Sequence, residues 1–228
     1  MKVLMILVIL VSFLQSCVGS FDYYMLSEIW PPGYCHNNPC RRHGPKFSKF
    51  IIHGLWPQNT TPCETSKLEE FPRDTLGKLE KDWPSITHKP NGLFWQNEWD
   101  KHGSCSMLPQ IDYFKLTLDL YGRADIKEIL RKEGIVSQIG DVKRYTKYQI
   151  ENAIKSHPNI DAKPQLICYQ GNLAEVRLCF DKSPGHKYKN CSTSYTCPLD
   201  NIKLPYLYPK LPVMEPEEAE LLRAIPPL

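Results

Sequence analysis

The stretch Phe50-Ile51-Ile52-His53-Gly54-Leu55-Trp56-Pro57 predicts an apolar strand that presents one histidine, followed by a glycine and, two residues later, a tryptophan. Three successive apolar residues favour a buried strand. We predict it over residues 47–56, ended by Pro57, because proline cannot donate to a strand ladder. A lone histidine in an apolar strand is also common as a core side chain satisfied by its neighbours. His53 therefore has a structural and a functional interpretation.

A second informative stretch is FWQNEWDKHGSC, residues 94–105. We predict a helix over residues 93–102 that ends with Gly103 as its C-terminal cap. At about 100° per residue, four polar side chains fall within an arc of about 140°, and two indoles flank them. The polar side chains are Asn97, Glu98, Lys101 and His102, and the indoles are those of Trp95 and Trp99. Such a face differs from an ordinary solvated helix surface.

Two imidazoles, a lysine and a glutamate suit phosphodiester transesterification in RNA. One imidazole removes the proton of a ribose 2′-hydroxyl and the other protonates the departing 5′-oxygen, since the ordinary pKa of histidine is about 6.5. A cation stabilises the charge on the pentacoordinate phosphorus. This chemistry needs no metal, and the sequence has no Asp-rich metal motif. Spacing alone leaves open whether the two stretches meet in space.

Residues 1–20 have the pattern of a secretory signal peptide, with Lys2, an apolar run over 3–11 and small residues before Phe21. Its removal leaves 208 residues, enough for one domain with a sizeable core. The formal charge is then +2, from 27 basic and 25 acidic residues, which permits a polyanionic substrate and argues against histone-like wrapping. A hydrophobic content of 42% excludes a disordered chain, and no later apolar run is long enough for an integral membrane protein.

An even number of cysteines in a secreted chain predicts disulfides. After the leader with Cys17 is removed, eight remain, which are Cys35, Cys40, Cys63, Cys105, Cys168, Cys179, Cys191 and Cys197. Eight cysteines allow 105 pairings, so the sequence alone leaves the connectivity open. Zinc is the alternative, but no Cys-x2-Cys pair occurs. Sequons at Asn59 and Asn190 agree with secretion and predict glycosylation.

The remaining pattern predicts an α+β fold, because strands and helices occupy separate stretches. Strands are predicted at residues 21–30, 47–56, 166–169 and 173–180, and helices at 75–83, 93–102, 112–121, 126–133 and 146–157. Pro31-Pro32-Gly33 is predicted to stop the first strand, and residues 35–46 to form a disulfide-closed loop. Residues 206–228, rich in proline and glutamate, predict a mostly disordered tail with one short helix over 216–223; a processed propeptide or sorting segment is the alternative.

Taken together, the two stretches resemble the active-site signatures of the ribonuclease T2 family, which are secreted endoribonucleases. Residues 53–57 (HGLWP) are similar to the first signature and residues 94–105 to the second. The likeness extends from about Phe21 to about Pro205. It implies one catalytic domain over residues 21–205, with helices packed on a central antiparallel β-sheet. We expect a monomer without a cofactor or a membrane segment.

The resemblance implies a role for each matching residue. His102 corresponds to the general base and His53 to the general acid, while Glu98 and Lys101 correspond to transition-state stabilisers. The implied substrate contacts are Trp56, which packs near the base, and Phe94, near a base-stacking position. The family forms 2′,3′-cyclic phosphates from single-stranded RNA and then 3′-phosphates, without metal. Plant members imply the pairs Cys35–Cys40, Cys63–Cys105, Cys168–Cys197 and Cys179–Cys191.

Three positions depart from the family pattern. Asn97 stands where many members carry a third histidine thought to bind phosphate, so we expect retained activity with weaker phosphate binding. Gln58 stands where an acidic or amide group often recognises the base, and Ile29 where glutamine is frequent. Base preference therefore stays open.

Among plant members, the chain resembles the self-incompatibility S-ribonucleases. The features in common are its start at Phe21-Asp22-Tyr23, the sequon at Asn59, the absence of the third histidine at Asn97 and a pI of about 8.3. This likeness implies secretion into the style, degradation of RNA in rejected pollen, allele-specific surface within residues 64–92, and pollen F-box proteins as partners. The alternatives are an S-like ribonuclease for phosphate scavenging, defence or senescence, and a catalytically inactive storage or binding protein.

Overall fold

The structure is a computed structural model that describes residues 21–41, 48–60, 63–137, 143–193 and 196–206. The predicted signal peptide at 1–20 lies outside the described residues, as do most of the predicted tail at 206–228 and residues 42–47 of the predicted loop and strand start.

The helices and strands follow one another in an α+β arrangement. The strands are β1 (Tyr23–Ile29), β2 (Ile51–Pro57), β3 (Arg144–Tyr145), β4 (Gln165–Tyr169), β5 (Asn172–Asp181), β6 (Tyr188–Lys189) and β7 (Ile202–Lys203). The helices are α1 (Pro31–Tyr34), α2 (Arg73–Asp82), α3 (Asn91–Lys101), α4 (Gln110–Gly122), α5 (Ile126–Lys132) and α6 (Lys147–Lys155), with a 3₁₀ turn at Gly103–Ser106.

One sheet organises the described part of the chain, with the order β2-β1-β5-β7-β3 and with β4 and β6 also paired to β5. All pairs are antiparallel except a single parallel contact between Asn172 and Lys203. The predicted α+β fold with a central, almost wholly antiparallel sheet is therefore confirmed.

Alternation along the long strands gives the sheet two different faces. Leu26 and Val176 point into the main core, which also contains Trp83, Trp95 and Phe114 from the helical side. On the other face, Ser27 and Glu175 belong to a polar cluster around His53. The helices therefore pack on the apolar face of the sheet, and the opposite, polar face carries the candidate site.

Two bulges interrupt the ladders on this polar side. Between β1 and β2 the register passes from Ser27↔Gly54 to Glu28↔Ile52, which leaves His53 without a partner residue across the ladder. Between β4 and β5 a similar shift leaves out Ala174, immediately before Glu175. An extra residue in one strand re-aims the neighbouring side chains.

The helix that carries the second signature differs from prediction at both ends. It begins at Asn91, directly after Pro90, and ends at Lys101. His102 leaves the helix with φ −136°, and Gly103 starts a 3₁₀ turn rather than acting as a left-handed cap. Glycine is needed there because a Cβ atom would lie 2.5 Å from Trp99 and 2.7 Å from the Tyr113 ring.

Several further predictions were wrong in detail. The first strand does end before Pro31-Pro32-Gly33, as predicted, but these residues also start the short helix α1, which was not predicted and whose Gly33 packs against the backbone of Leu173. The strands β3, β6 and β7 were missed, because two-residue strands are defined by their pairing partners and leave no periodic pattern. In the described ranges, no helix has the length and apolar character needed to cross a membrane.

Four disulfides link Cys35–Cys40, Cys63–Cys105, Cys168–Cys197 and Cys179–Cys191, which are the pairs that the resemblance implied. Cys63–Cys105 connects the segment before α2 to the turn that follows His102, over a separation of 42 residues. Cys179–Cys191 joins the end of β5 to the segment after β6.

Candidate active site

His53 reaches the polar face from the bulge in β2. Its backbone carbonyl has lost its ladder partner and instead accepts a hydrogen bond of 2.8 Å from the indole nitrogen of Trp83. The backbone carbonyl of Leu55 is bonded in the same way, since it accepts a hydrogen bond of 2.8 Å from the Tyr113 hydroxyl. Buried carbonyls need such partners, so two core side chains fix the strand segment that presents the imidazole.

Glu175 on β5 is the closest charged neighbour of His53. Nδ1 of His53 lies 3.1 Å from Oε1 of the carboxylate, whose side chain is only 2% exposed. Burial alone would raise the pKa of Glu175, but the hydrogen bond and charge of His53, together with Arg177 and Ser27, lower it to about 2. Burial and the charge of Arg177 lower the pKa of His53, but the hydrogen bond and charge of Glu175, with the charge of Glu98, outweigh them, so the net pKa is raised.

Trp56 forms the centre of the site. Its ring centroid lies 5.1 Å from that of His53 and 5.2 Å from that of His102, so the two imidazoles flank one indole. Its ring nitrogen donates a 3.0 Å hydrogen bond to Oε2 of Glu98, and the Arg177 guanidinium carbon lies 4.8 Å from the ring centroid. The indole therefore connects strand β2 to helix α3.

Glu98 is buried beneath this indole. Burial raises its pKa, while His53, the hydrogen bond from Trp56 and Lys101 act in the opposite direction. Gly54 makes the contact possible, because a Cβ atom there would lie 2.2 Å from Oε2 of Glu98. The glycine between the histidine and the tryptophan thus allows the helix carboxylate to approach the strand.

His102 follows helix α3, where its amide donates to the Glu98 carbonyl at 3.1 Å and its own carbonyl accepts from Cys105 at 3.0 Å. Burial, together with the charges of His53 and Lys101, lowers the pKa of its imidazole to about 4. Its pKa thus moves opposite to that of His53. Two groups of one type whose pKa values diverge can serve as a base and an acid.

The other predicted residues of the helix have different neighbours, and of these Lys101 acts through its charge on Glu98 and His102. Lys101 is exposed, while Asn97 donates its side-chain amide to the Leu93 carbonyl at 2.7 Å, one turn back in the same helix. Phe94 is partly buried and packs against the main core. The two flanking indoles, Trp95 and Trp99, are buried in that core and do not border the imidazoles.

Sequence reasoning missed the residues that strands β1, β4 and β5 and helix α1 bring to the neighbourhood of His53. These are Ser27, Tyr34, Tyr169, Glu175 and Arg177. Tyr34 meets the His53 ring edge-on at 6.1 Å between centroids. A glutamate and an arginine two residues apart in the apolar strand 173–180 were the available signal, because a carboxylate in a buried strand requires a partner.

In the part of the chain that the structure describes, no group of three or more His, Cys, Asp or Glu side chains is arranged to hold a metal ion. The site combines two imidazoles, the carboxylates Glu98 and Glu175, the cations Lys101 and Arg177, the Ser27 hydroxyl and an indole.

Comparisons with known proteins show the family of this chain. The model of the Ribonuclease T2 family matches residues 21–191. The chain is 34% identical over 207 residues to Ribonuclease S-7 of Nicotiana alata, covering 84% of this chain and 91% of the relative. It is 33% identical over 210 residues to Intracellular ribonuclease LX of Solanum lycopersicum, covering 83% and 86%. The solved structure of Japanese pear S3-RNase superposes with a TM-score of 0.69 at 29% identity, covering 81% of this chain and all of that one. The chain therefore belongs to the ribonuclease T2 family and is an endoribonuclease.

Proposed function

We propose that this endoribonuclease cleaves single-stranded RNA by transesterification, with His102 as the general base and His53 as the general acid. One observation carries the proposal: the two imidazoles flank Trp56, and their surroundings move their pKa values in opposite directions. A neutral imidazole can accept the 2′-hydroxyl proton while a protonated one donates to the leaving 5′-oxygen.

The first step forms a bond between the ribose 2′-oxygen and phosphorus and breaks the bond to the 5′-oxygen. His102 takes the 2′-hydroxyl proton, His53 gives a proton to the departing oxygen, and a 2′,3′-cyclic phosphate results. In the second step the roles reverse: His53 accepts a proton from water as the water oxygen bonds to phosphorus, and the bond between phosphorus and the 2′-oxygen breaks as His102 protonates that oxygen. The product is a 3′-phosphate.

The remaining residues stabilise charge and hold the substrate. Lys101, which is exposed and acts through its charge on Glu98 and His102, is the cation available to the pentacoordinate phosphorus. Glu98 holds Trp56 in place and adds a carboxyl of raised pKa next to the imidazoles. Trp56 and Phe94 are the proposed base contacts, and Asn97 offers an uncharged amide in place of a third imidazole.

The test is digestion of a long single-stranded RNA by the secreted, disulfide-bonded protein in EDTA, with analysis of the product ends. We expect 2′,3′-cyclic phosphate ends followed by 3′-phosphates, and at least a 100-fold slower reaction for His53→Ala and for His102→Ala. Near-full activity in either variant would refute the role assigned to that residue. A loss of activity in EDTA would reveal a required metal. Absence of cleavage by the wild type would favour a storage or binding protein.

We further propose that the protein is the secreted, monomeric stylar component of pollen rejection, with pollen F-box proteins as partners. Among its relatives, Ribonuclease S-7 of Nicotiana alata supports this role, whereas the tomato enzyme, named as intracellular, supports the S-like alternative. Style-specific expression and many alleles, differing mainly within residues 64–92, are expected. Expression induced in starved leaves would favour scavenging instead.

Secretion is proposed to remove residues 1–20 and to allow glycans at both sequons. Asn59 and Asn190 are exposed, which glycosylation requires. Amino-terminal sequencing of the secreted protein should begin at Phe21, and enzymatic removal of N-glycans should lower its mass. A mature chain that begins elsewhere would correct the cleavage site, and an unchanged mass would mean that neither sequon is used. Mass spectrometry of the carboxyl end would show whether residues 206–228 are retained.

A further inference from the structure

Both carboxylate oxygens of Glu175 have polar partners. Its Oε2 accepts hydrogen bonds from the Ser27 hydroxyl at 2.8 Å and from Nε and Nη2 of Arg177 at 3.1 and 2.8 Å. Its Oε1 lies 3.1 Å from Nδ1 of His53. A buried carboxylate bonded on both oxygens has a fixed orientation, so its second oxygen can direct the imidazole.

Arg177 is itself immobilised. Its Nη1 donates to Oε1 of Gln165 at 3.0 Å, and the amide of Gln165 donates to the Ser192 carbonyl at 2.9 Å. Its guanidinium carbon lies 4.8 Å from the Trp56 ring centroid, and its side chain is 21% exposed. Arg177 therefore contacts both Glu175, which bonds to Nδ1 of His53, and Trp56, whose ring lies beside the same imidazole.

We propose that Glu175, fixed by Ser27 and Arg177, is a positioning residue that holds His53 with Nδ1 turned inward and Nε2 turned toward the substrate, and that Arg177 opposes its charge. The pair then sets the upper pH limit at which His53 is a proton donor. This inference rests on the proposed role of His53 as the general acid. A proton on Nδ1 that is bonded to the carboxylate leaves Nε2 as the nitrogen that exchanges protons with the substrate.

The charges that act on His53 come from three elements. Glu175 and Arg177 face it from β5, Glu98 from α3 and His102 from the turn after α3, while Tyr34 of α1 meets its ring edge-on. Burial lowers the pKa of His53, Glu175 and Glu98 raise it, and Arg177 lowers it. Removing the charge of Glu175 and removing the charge of Arg177 should therefore have opposite effects.

The experiment measures the pH dependence of kcat/KM on RNA and the NMR titration of the His53 ring, assigned with His53→Ala, in the wild type and in variants. For Glu175→Gln we expect the basic limb and the His53 pKa to fall by about 1 to 3 pH units, because a neutral amide replaces the opposite charge. For Arg177→Gln we expect both to rise. Arg177→Lys, which keeps the charge, should return them toward the wild type.

Ser27→Ala is the matched control, since it removes one neutral donor from Glu175 without changing a charge. Its His53 pKa should shift less than that of either charge variant. Shifts of the same sign in Glu175→Gln and Arg177→Gln, or no shift in either, would overturn the inference, because loss of packing has no reason to change sign. If Glu175→Gln fails to fold, the comparison of Arg177→Gln with Arg177→Lys still tests the inference, because Arg177 is partly exposed. The His53 pKa should rise in Arg177→Gln and return toward the wild-type value in Arg177→Lys.

The NMR titration separates this inference from the proposed function, because it needs no turnover. Opposite shifts of the His53 pKa in a protein that does not cleave RNA would support the positioning pair and refute the catalytic role. If the protein cleaves RNA but neither variant shifts the His53 pKa, the catalytic role would stand and the positioning pair would be refuted.

Discussion

Gly54→Ala tests the geometry of the site with one added methyl group. A Cβ atom at position 54 would lie 2.2 Å from Oε2 of Glu98 and 2.5 Å from the ring nitrogen of Trp56. These two atoms are joined by the 3.0 Å hydrogen bond that links strand to helix. To reach even 3.0 Å from the new methyl group, the carboxylate would have to retreat by about 0.8 Å. The hydrogen bond and the position of the indole between the imidazoles would both change.

A displacement of about 1 Å in a catalytic arrangement can cost on the order of 100-fold in rate, so we expect kcat/KM on RNA to fall by about 10- to 100-fold. The matched control is Gly77→Ala on the exposed face of helix α2, where nothing lies within 4 Å of the new Cβ. This control should keep wild-type kcat/KM and unfold at a higher Tm, since alanine is favoured over glycine in a helix by up to about 1 kcal/mol. A Gly54→Ala enzyme within about twofold of the wild type would refute the claim that the Trp56–Glu98 contact positions the site.

Three further predictions concern pH, phosphate binding and stability. The pH profile of kcat/KM should fall on the acid side near pH 4, because His102 becomes protonated there. It should fall on the basic side at a pH above 6.5, because His53 becomes neutral there. A flat profile from about pH 4 to 9 would contradict two-imidazole catalysis. Asn97→His should lower KM for RNA below about pH 6.5, where the new imidazole is protonated and adds a cation in place of an uncharged amide, and an unchanged KM there would show that this position does not bind phosphate. Glu28→Met should raise the unfolding free energy by about 1–3 kcal/mol in denaturant titrations, because both carboxyl oxygens of this buried glutamate lack a hydrogen-bond partner among the described residues; an equal or lower value would show that Glu28 has a compensating partner.

The two signature stretches could be located in the sequence because their information is local. An apolar run that ends in proline predicts a strand, and an i, i+4 pair such as Glu98 and His102 predicts a shared helix face. The structure keeps that pair close, although His102 lies just beyond the helix end rather than within it.

The environment of His53 could not be predicted, because its parts are distant in the chain. His53 and Glu175 are 122 residues apart, and only the sheet topology and the two bulges bring them together. A bulge depends on the register of two strands, which one strand alone does not reveal. The pKa difference between the two imidazoles follows from burial and from these neighbours, so it too required the fold.

The most direct test of the two-imidazole account compares RNA with a nucleoside 3′-nitrophenyl phosphate, whose leaving group departs without needing a proton. The account predicts that His53→Ala is at least about 100-fold slower than the wild type on RNA but within about tenfold on the nitrophenyl ester, while His102→Ala is impaired on both. Equal losses of His53→Ala on the two substrates, or recovery of His102→Ala on the ester, would contradict the assignment of acid and base.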